Sequence, residues 1–196
     1  NLDAKLRTEM RAELKRLHRE LEATTVYVTH DQAEALTLSD IVVVMNEGLV
    51  MQCGTPYDIY HNPQNLFVAE FIGDPRINFF KGKIINKEGH LKMDCNEIFL
   101  PLNKELPSNS GNVIASVRPE SITVSYKENK DWLKVRLKSI QPTGANTILQ
   151  VQSGTHEITL LQPGFIRMEI DEPLWINFDS DSLNFFDEET GNNLNI

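Results

Sequence analysis

Residues 27–35, Tyr-Val-Thr-His-Asp-Gln-Ala-Glu-Ala, carry the side chains best placed to do chemistry. A run of β-forming residues, 25–29, ends at His30, and a helix start follows at once. Asp31 is of the N-cap type, and Glu34 stands three residues on, the spacing of a capping box. A strand that delivers one imidazole to the mouth of a helix suits a phosphate or a water. Imidazole can hydrogen-bond an anion or orient a nucleophile. Taken alone, the same pattern also fits a histidine that only satisfies its own hydrogen bonds at a strand end.

The elements around this segment follow from periodicity. Residues 3–22 read as a helix that Asp3 can cap, with Leu6, Met10, Leu14, Leu17 and Leu21 in one apolar stripe that packs on a sheet. Residues 25–29 read as a short buried strand and 32–38 as the helix after His30. Strands at 41–45 and 49–53 flank Asn46-Glu47-Gly48, a hairpin turn. Thr55-Pro56-Tyr57-Asp58 starts a helix that Asn62-Pro63 stops. Residues 65–72 form another helix, with Phe67, Val68, Phe71 and Ile72 on one side. The character changes near Gly73-Asp74-Pro75. Beyond it come short strands at 80–86, 90–94, 97–100, 113–118, 121–126, 133–140, 146–152, 156–161, 173–178 and 183–187. Such spacing predicts a small barrel or sandwich. The expected boundary lies at residue 78, giving an α/β segment, 1–78, and an all-β domain, 79–196.

Composition narrows the function classes. The chain has 196 residues, 40% hydrophobic and 24% charged, ordinary for a globular protein. It shows no apolar run of the roughly 20 residues that span a bilayer, and no direct membrane insertion is expected. Cys53 and Cys95 stand far apart without a metal or disulfide pattern. The net charge is −9, and no Lys or Arg follows Arg167, while Glu169, Asp171, Glu172, Asp179, Asp181 and Asp187 do. Nucleic acid would be repelled by such a surface.

Further motifs add context. The chain opens Asn1-Leu2-Asp3-Ala4-Lys5-Leu6-Arg7. Val28-Thr29-His30-Asp31-Gln32-Ala33-Glu34-Ala35-Leu36, Gly54-Thr55-Pro56-Tyr57-Asp58, Phe67-Val68-Ala69-Glu70-Phe71-Ile72-Gly73 and Val117-Arg118-Pro119-Glu120 follow in order. Together they resemble the ATPase subunit of ABC importers of the maltose/sugar and glycerol-phosphate type. The resemblance is dense over residues 1–80 and thinner over 80–196. Ile41, Leu49, Met51 and the loop 141–146 depart from the family's usual residues; the first three enlarge an exposed apolar patch on the hairpin.

The resemblance implies a fold, roles and partners. The fold is α+β: part of a P-loop ATPase α/β domain, then an all-β OB-like (TOBE) regulatory barrel. His30 matches the switch histidine that contacts the γ-phosphate and attacking water. Asn1 and Asp3 match the D-loop, which reports across an ATPase dimer, and Asp31, Gln32 and Glu34 order the helix after His30. Arg118 and Glu120 are the regulatory-domain candidates; a structural pairing of Arg118 with a carboxylate is the plainer alternative. The aromatic set Trp175, Phe178, Phe185 and Phe186 fits barrel core or dimer contact. ATP and Mg²⁺ are implied for the intact subunit and no metal site in this chain. The phosphate-wrapping Gly-x-x-x-x-Gly-Lys-[Ser/Thr] loop and the Leu-Ser-Gly-Gly-Gln signature do not occur here, and the Mg²⁺-binding Asp-Glu pair would precede Asn1. The expectation is therefore a segment inactive by itself, with none of these cofactors bound. Implied partners are membrane permease subunits and a second ATPase subunit, at the cytoplasmic face of the cell membrane. The competing reading is a stand-alone OB-like module that binds a small ligand or a protein.

Overall fold

The computed structural model describes residues 4–87, 90–102, 106 and 111–194. Two compact units divide the chain between Asn62 and Pro63.

The first unit opens with helix α1 (Ala4–Leu21). Its apolar stripe has the expected period but is not covered within the described residues: Leu6 is 42% and Leu21 72% exposed. The segment expected as a buried strand at 25–29 is extended yet joins no ladder, and Val26 and Val28 are 87% and 90% exposed. Strand formation needs a neighbour's backbone N–H and C=O groups, and no described segment offers them here. Helix α2 (Gln32–Leu38) follows, and Lys15 Nζ on α1 donates to Thr37 O at 3.0 Å. Strands β1 (Val42–Asn46) and β2 (Leu49–Gly54) form an antiparallel hairpin. Its turn residues Glu47 and Gly48 have φ of 48° and 81°, the paired left-handed geometry that matches strand twist in a two-residue loop. Val42 and Val44 face inward, while Ile41, Val43, Met45, Leu49 and Val50 are exposed; Ile41 and Leu49 join this apolar patch as expected, but Met51 is half-buried. Helix α3 (Pro56–His61) starts as its sequence dictates: Thr55 Oγ1 accepts from Asp58 N at 3.2 Å, and Pro56 fills a position needing no N–H donor.

The second unit begins with helix α4 (Leu66–Phe71), capped by Asn65, whose Oδ1 accepts from Val68 N at 3.0 Å. Its strands are β3 (Asn78–Lys87), β4 (His90–Asp94), β5 (Phe99–Pro101), β6 (Asn112–Val117), β7 (Ile122–Ser125), β8 (Leu133–Pro142), β9 (Asn146–Ser153), β10 (His156–Pro163), β11 (Pro173–Phe178) and β12 (Asn184–Asp187). Every strand expected from sequence between residues 80 and 187 is present. They make two five-stranded antiparallel sheets, ordered β12-β6-β3-β4-β5 and β10-β9-β8-β11-β7. The second sheet curls until its edges meet, and Gln162 Nε2 on β10 donates to Ile122 O on β7 at 3.4 Å. Asn78 joins the sheets. Its Nδ2 donates to Thr159 O at 2.9 Å and its Oδ1 accepts from Thr159 N at 2.8 Å, so one side-chain amide imitates a ladder pair. This is the curled, OB-like β-domain expected from the sequence.

One apolar core fills the space between the sheets, with Phe80, Phe178 and Phe185 among its members; Phe80 and Phe178 meet edge to face at 5.5 Å. Phe186 turns the other way, into a second cluster with Ala69, Ile77 and Ile114 beneath α4. Three of the four aromatic residues singled out from sequence are thus core; Trp175 is partly open, with Lys134 Nζ 5.6 Å from its ring centre. Both cysteines are free; Cys95 is fully buried, and burial pushes its thiol up to about 12.

Gly82 marks the tightest approach in the barrel. A Cβ there would stand 2.1 Å from Asp94 O on β4, which is backbone and cannot swing away. Gly82→Ala is expected to destabilise the domain by about 3 kcal/mol, the scale of core overpacking, in urea unfolding. Gly111→Ala, where nothing lies within 4 Å, should leave the midpoint unchanged.

Candidate functional site

The site is built on a bend. The extended segment before His30 places Tyr27 and Thr29 on one side, because side chains in extended chain alternate with period two. Both hydroxyls reach the same carboxylate: Tyr27 OH donates to Glu34 Oε2 at 3.0 Å and Thr29 Oγ1 donates to it at 2.8 Å. Thr29 Oγ1 also accepts from Asp31 N at 2.9 Å. Asp31 caps α2, accepting from Glu34 N at 3.1 Å through Oδ1 and from Ala35 N at 3.1 Å through its carbonyl. Only half of the expected capping box therefore forms. Glu34 turns from the Asp31 N–H to the two hydroxyls, and Thr29 takes the N–H in its place. The bend is fixed on both sides of His30, through Thr29 and Asp31, while the imidazole itself is exposed.

Met10, Arg11, Leu14, Tyr27, Thr29, His30, Asp31 and Glu34 surround an open pocket of about 200 Å³. It has an apolar floor from α1 and a polar rim from the bend. The Glu34 carboxylate beside Tyr27 holds the phenol above its ordinary range, since a hydrogen-bonded anion opposes a second negative charge. The arrangement can present one neutral or protonated imidazole at a fixed place, with its neighbours immobilised by other bonds. Among the described residues no group of three or more His, Cys, Asp or Glu is placed to hold a metal ion.

The structure brings His30, Asp31 and Glu34 together, with Gln32 as the first residue of α2. Asn1 and Asp3 lie outside the described residues. Arg118 and Glu120 belong to the second unit. Arg118 is only 5% exposed, and its Nη1 donates to Ala69 O at 3.2 Å and to Ile72 O. It thus serves the last carbonyls of α4, which have no partners within the helix, and places a positive charge at the helix's negative end. Glu120 is exposed, in the short 3₁₀ turn Pro119–Ser121. Sequence reasoning missed Tyr27 and Thr29 as anchors; their i, i+2 spacing ahead of a carboxylate at the third position of α2, five residues after Thr29, was the available signal.

Residues 115–186, from within β6 to within β12, match the TOBE domain family. The chain is similar over 97% of its length to ABC transporter ATP-binding proteins, and the resemblance to that family is thereby established. It is 40% identical to the uncharacterised ABC transporter ATP-binding protein YurJ of Bacillus subtilis (strain 168), covering 54% of that protein. It is 39% identical to the uncharacterised ABC transporter ATP-binding protein y4oS of Sinorhizobium fredii (strain NBRC 101917 / NGR234), covering 51%. It is 38% identical to the sn-glycerol-3-phosphate import ATP-binding protein UgpC of Escherichia coli (strain K12), covering 53%. The chain spans about half the length of the curated relatives it matches.

The Tyr27–Glu34 contact gives a pH signature. A phenol whose folded pKa is raised adds stability below its unfolded pKa, about 10, and loses it as pH rises through the higher folded value. Ultraviolet titration of the phenolates should show two tyrosines ionising later than an ordinary phenol, Tyr27 beside Glu34 and Tyr126 through burial, and Glu34→Gln should return only Tyr27 to the ordinary range. An unchanged titration in Glu34→Gln would mean that the carboxylate does not hold Tyr27.

Proposed function

We propose that this chain is the C-terminal portion of the ATP-hydrolysing subunit of an ABC importer, serving a sugar or a related small polar solute such as a glycerol phosphate. Residues 1–78 would be the end of the ATPase domain and 79–196 the regulatory barrel, with α4 attached physically to the barrel unit. The observation that carries this reading is the fixed bend at His30, in a chain whose relatives are named as ABC transporter ATP-binding proteins. In the intact subunit ATP and Mg²⁺ supply the transferring phosphoryl group and its charge-balancing ion. This chain's part is to hold one imidazole where it can hydrogen-bond that group or the attacking water. Phosphoryl transfer depends on positioning and charge stabilisation, so a bend fixed by Thr29, Asp31 and Glu34 suits the task. Asn1 and Asp3 would act at the interface with a second ATPase subunit. Permease subunits are the proposed membrane partners, with the protein peripheral on the inner face. No described helix is long and apolar enough to cross a membrane.

In the intact subunit, His30→Ala is expected to abolish steady-state ATP hydrolysis nearly completely and to leave nucleotide binding in place. Most ground-state phosphate contacts come from other residues, whereas His30 would act on the transferring group. A mutant within about threefold of wild type, only ~0.7 kcal/mol, would sink the switch role. Residues 1–196 alone should neither turn over ATP nor bind it at micromolar concentration, as calorimetry would show.

A second reading is favoured by one observation: the Pro63–Ile196 unit has its own core and its own helix. Such a unit could act as a stand-alone binding module. Under the importer reading it should instead pair with a second copy, because a two-fold contact is the commonest way soluble chains associate. Light scattering on residues 63–196 at tens of micromolar separates the two. A dimer supports the importer subunit, and a strict monomer favours the stand-alone module.

A further inference from the structure

Residues 63–73 lie on the β6–β12 face of their sheet and are fastened at both ends. At the near end, Leu66 N donates to Gly191 O at 2.9 Å, Asn193 N to Gln64 O at 2.9 Å, and Asn193 Nδ2 to Pro63 O at 2.6 Å. The segment Gly191 to Leu194 is itself tied to β12, since Leu194 N donates to Phe185 O at 2.7 Å and Asp187 N to Asn192 O at 2.9 Å. At the far end Arg118 Nη1 donates to Ala69 O and Ile72 O. Gly73, with φ of +114°, completes that fastening: a Cβ there would stand 2.7 Å from Arg118 Nη1.

Between the fastenings α4 has six residues, too few to hold a helix in water unaided. Its order comes from the two latches and from burying Val68 and Ala69. One feature of the surface below works against closure. The Ser116 hydroxyl is fully buried and has no hydrogen-bond partner among the described residues, and the period of β6 sets it on the side of Ile114, beneath α4. Water would satisfy that hydroxyl if α4 lifted, so the buried orphan lowers the cost of opening. The Pro63–Gly73 segment also differs from the barrel in kind, being latched by a few hydrogen bonds, whereas the strands are held by continuous ladders.

We propose that residues 63–73 form a strap, a separate cooperative unit that opens from the barrel as one piece while both sheets stay folded, and that the Asn193 clasp sets its opening equilibrium. Opening would uncover Ile77, Ile114 and Phe186, the apolar floor on which it rests. Because the strap follows Asn62 directly in the chain, tension applied through the backbone there reaches the Asn193 latch before any β-strand.

Amide hydrogen exchange followed by NMR on the 196-residue chain tests this. In the wild type, the Ala69 and Ile72 amides should exchange at least about tenfold faster than the Leu149 and Val151 amides of β9, as a sub-global unit requires. Asn193→Ala should speed the strap amides a further severalfold and leave β9 unchanged. Ser116→Ala, which removes the orphan hydroxyl with little change of volume, should slow the strap amides at least about twofold and again leave β9 unchanged. Exchange of strap and β9 amides at one common rate would overturn the proposal, as would strap rates that Asn193→Ala leaves unmoved. Should Asn193→Ala fail to fold, Ser116→Ala decides by itself, and a strap no slower than wild type overturns the idea.

Discussion

A buried guanidinium organises the second unit. A charge removed from water needs acceptors for its donors, and Arg118 Nη1 meets part of that need by donating to Ala69 O and Ile72 O. The same bonds answer a need of α4, whose last carbonyls have no helical partners. The consequences spread along the chain. Strand β6 must be covered on both faces, with Val113, Ala115 and Val117 toward the barrel core and Ile114 toward α4. That is why its central residues are buried without alternation, a pattern usual in strands sandwiched between two layers. Residue 73 must be glycine-like, both for its φ of +114° and for the nearness of Nη1. Pro119 holds Arg118 extended, at φ −69° and ψ 142°, so that the side chain leaves the strand end toward the helix.

The bend at His30 solves the opposite problem. Its imidazole is exposed, so burial cannot hold it, and backbone geometry must. Three side chains converge to do this: Asp31 on the Glu34 N–H, Thr29 on the Asp31 N–H, and Glu34 on the hydroxyls of Tyr27 and Thr29. None of these bonds uses the imidazole, so under the proposed role its hydrogen-bonding capacity would be left for a ligand. A preorganised donor contributes most when nothing has to rearrange as charge develops, and the bend meets that condition through local contacts.

How much of this could be read from sequence depended on range. Caps and turns were legible because they are local: Asp31 and Thr55 cap helices, and Glu47-Gly48 turns the hairpin. The strands of the barrel were legible because turn residues and β-formers alternate at short spacing. The role of Arg118 was not, since its partners lie 46 and 49 residues away and are backbone atoms that carry no sequence signal. Asn78 was invisible for the same reason, bonding Thr159 across 81 residues. The expected burial of 25–29 failed instructively. Its composition is that of a strand flanked on both sides, and composition reports the surroundings a segment suits, whereas pairing depends on whether a neighbour is present.

The two units differ in how completely they satisfy themselves. In the second, large side chains close into a common core, and an amide stitches the sheets where the ladder stops. In the first, the α1 stripe, Val26, Val28 and the outer face of the hairpin stay open to water. Those apolar positions are ordered by period along α1 and by alternation along β1, not scattered singly as on ordinary surfaces. Periodic apolar exposure is what a layer shows when the layer it was shaped to meet lies elsewhere. One self-sufficient unit and one patterned for further packing accord with the proposal of an ATPase-domain segment joined to a regulatory barrel.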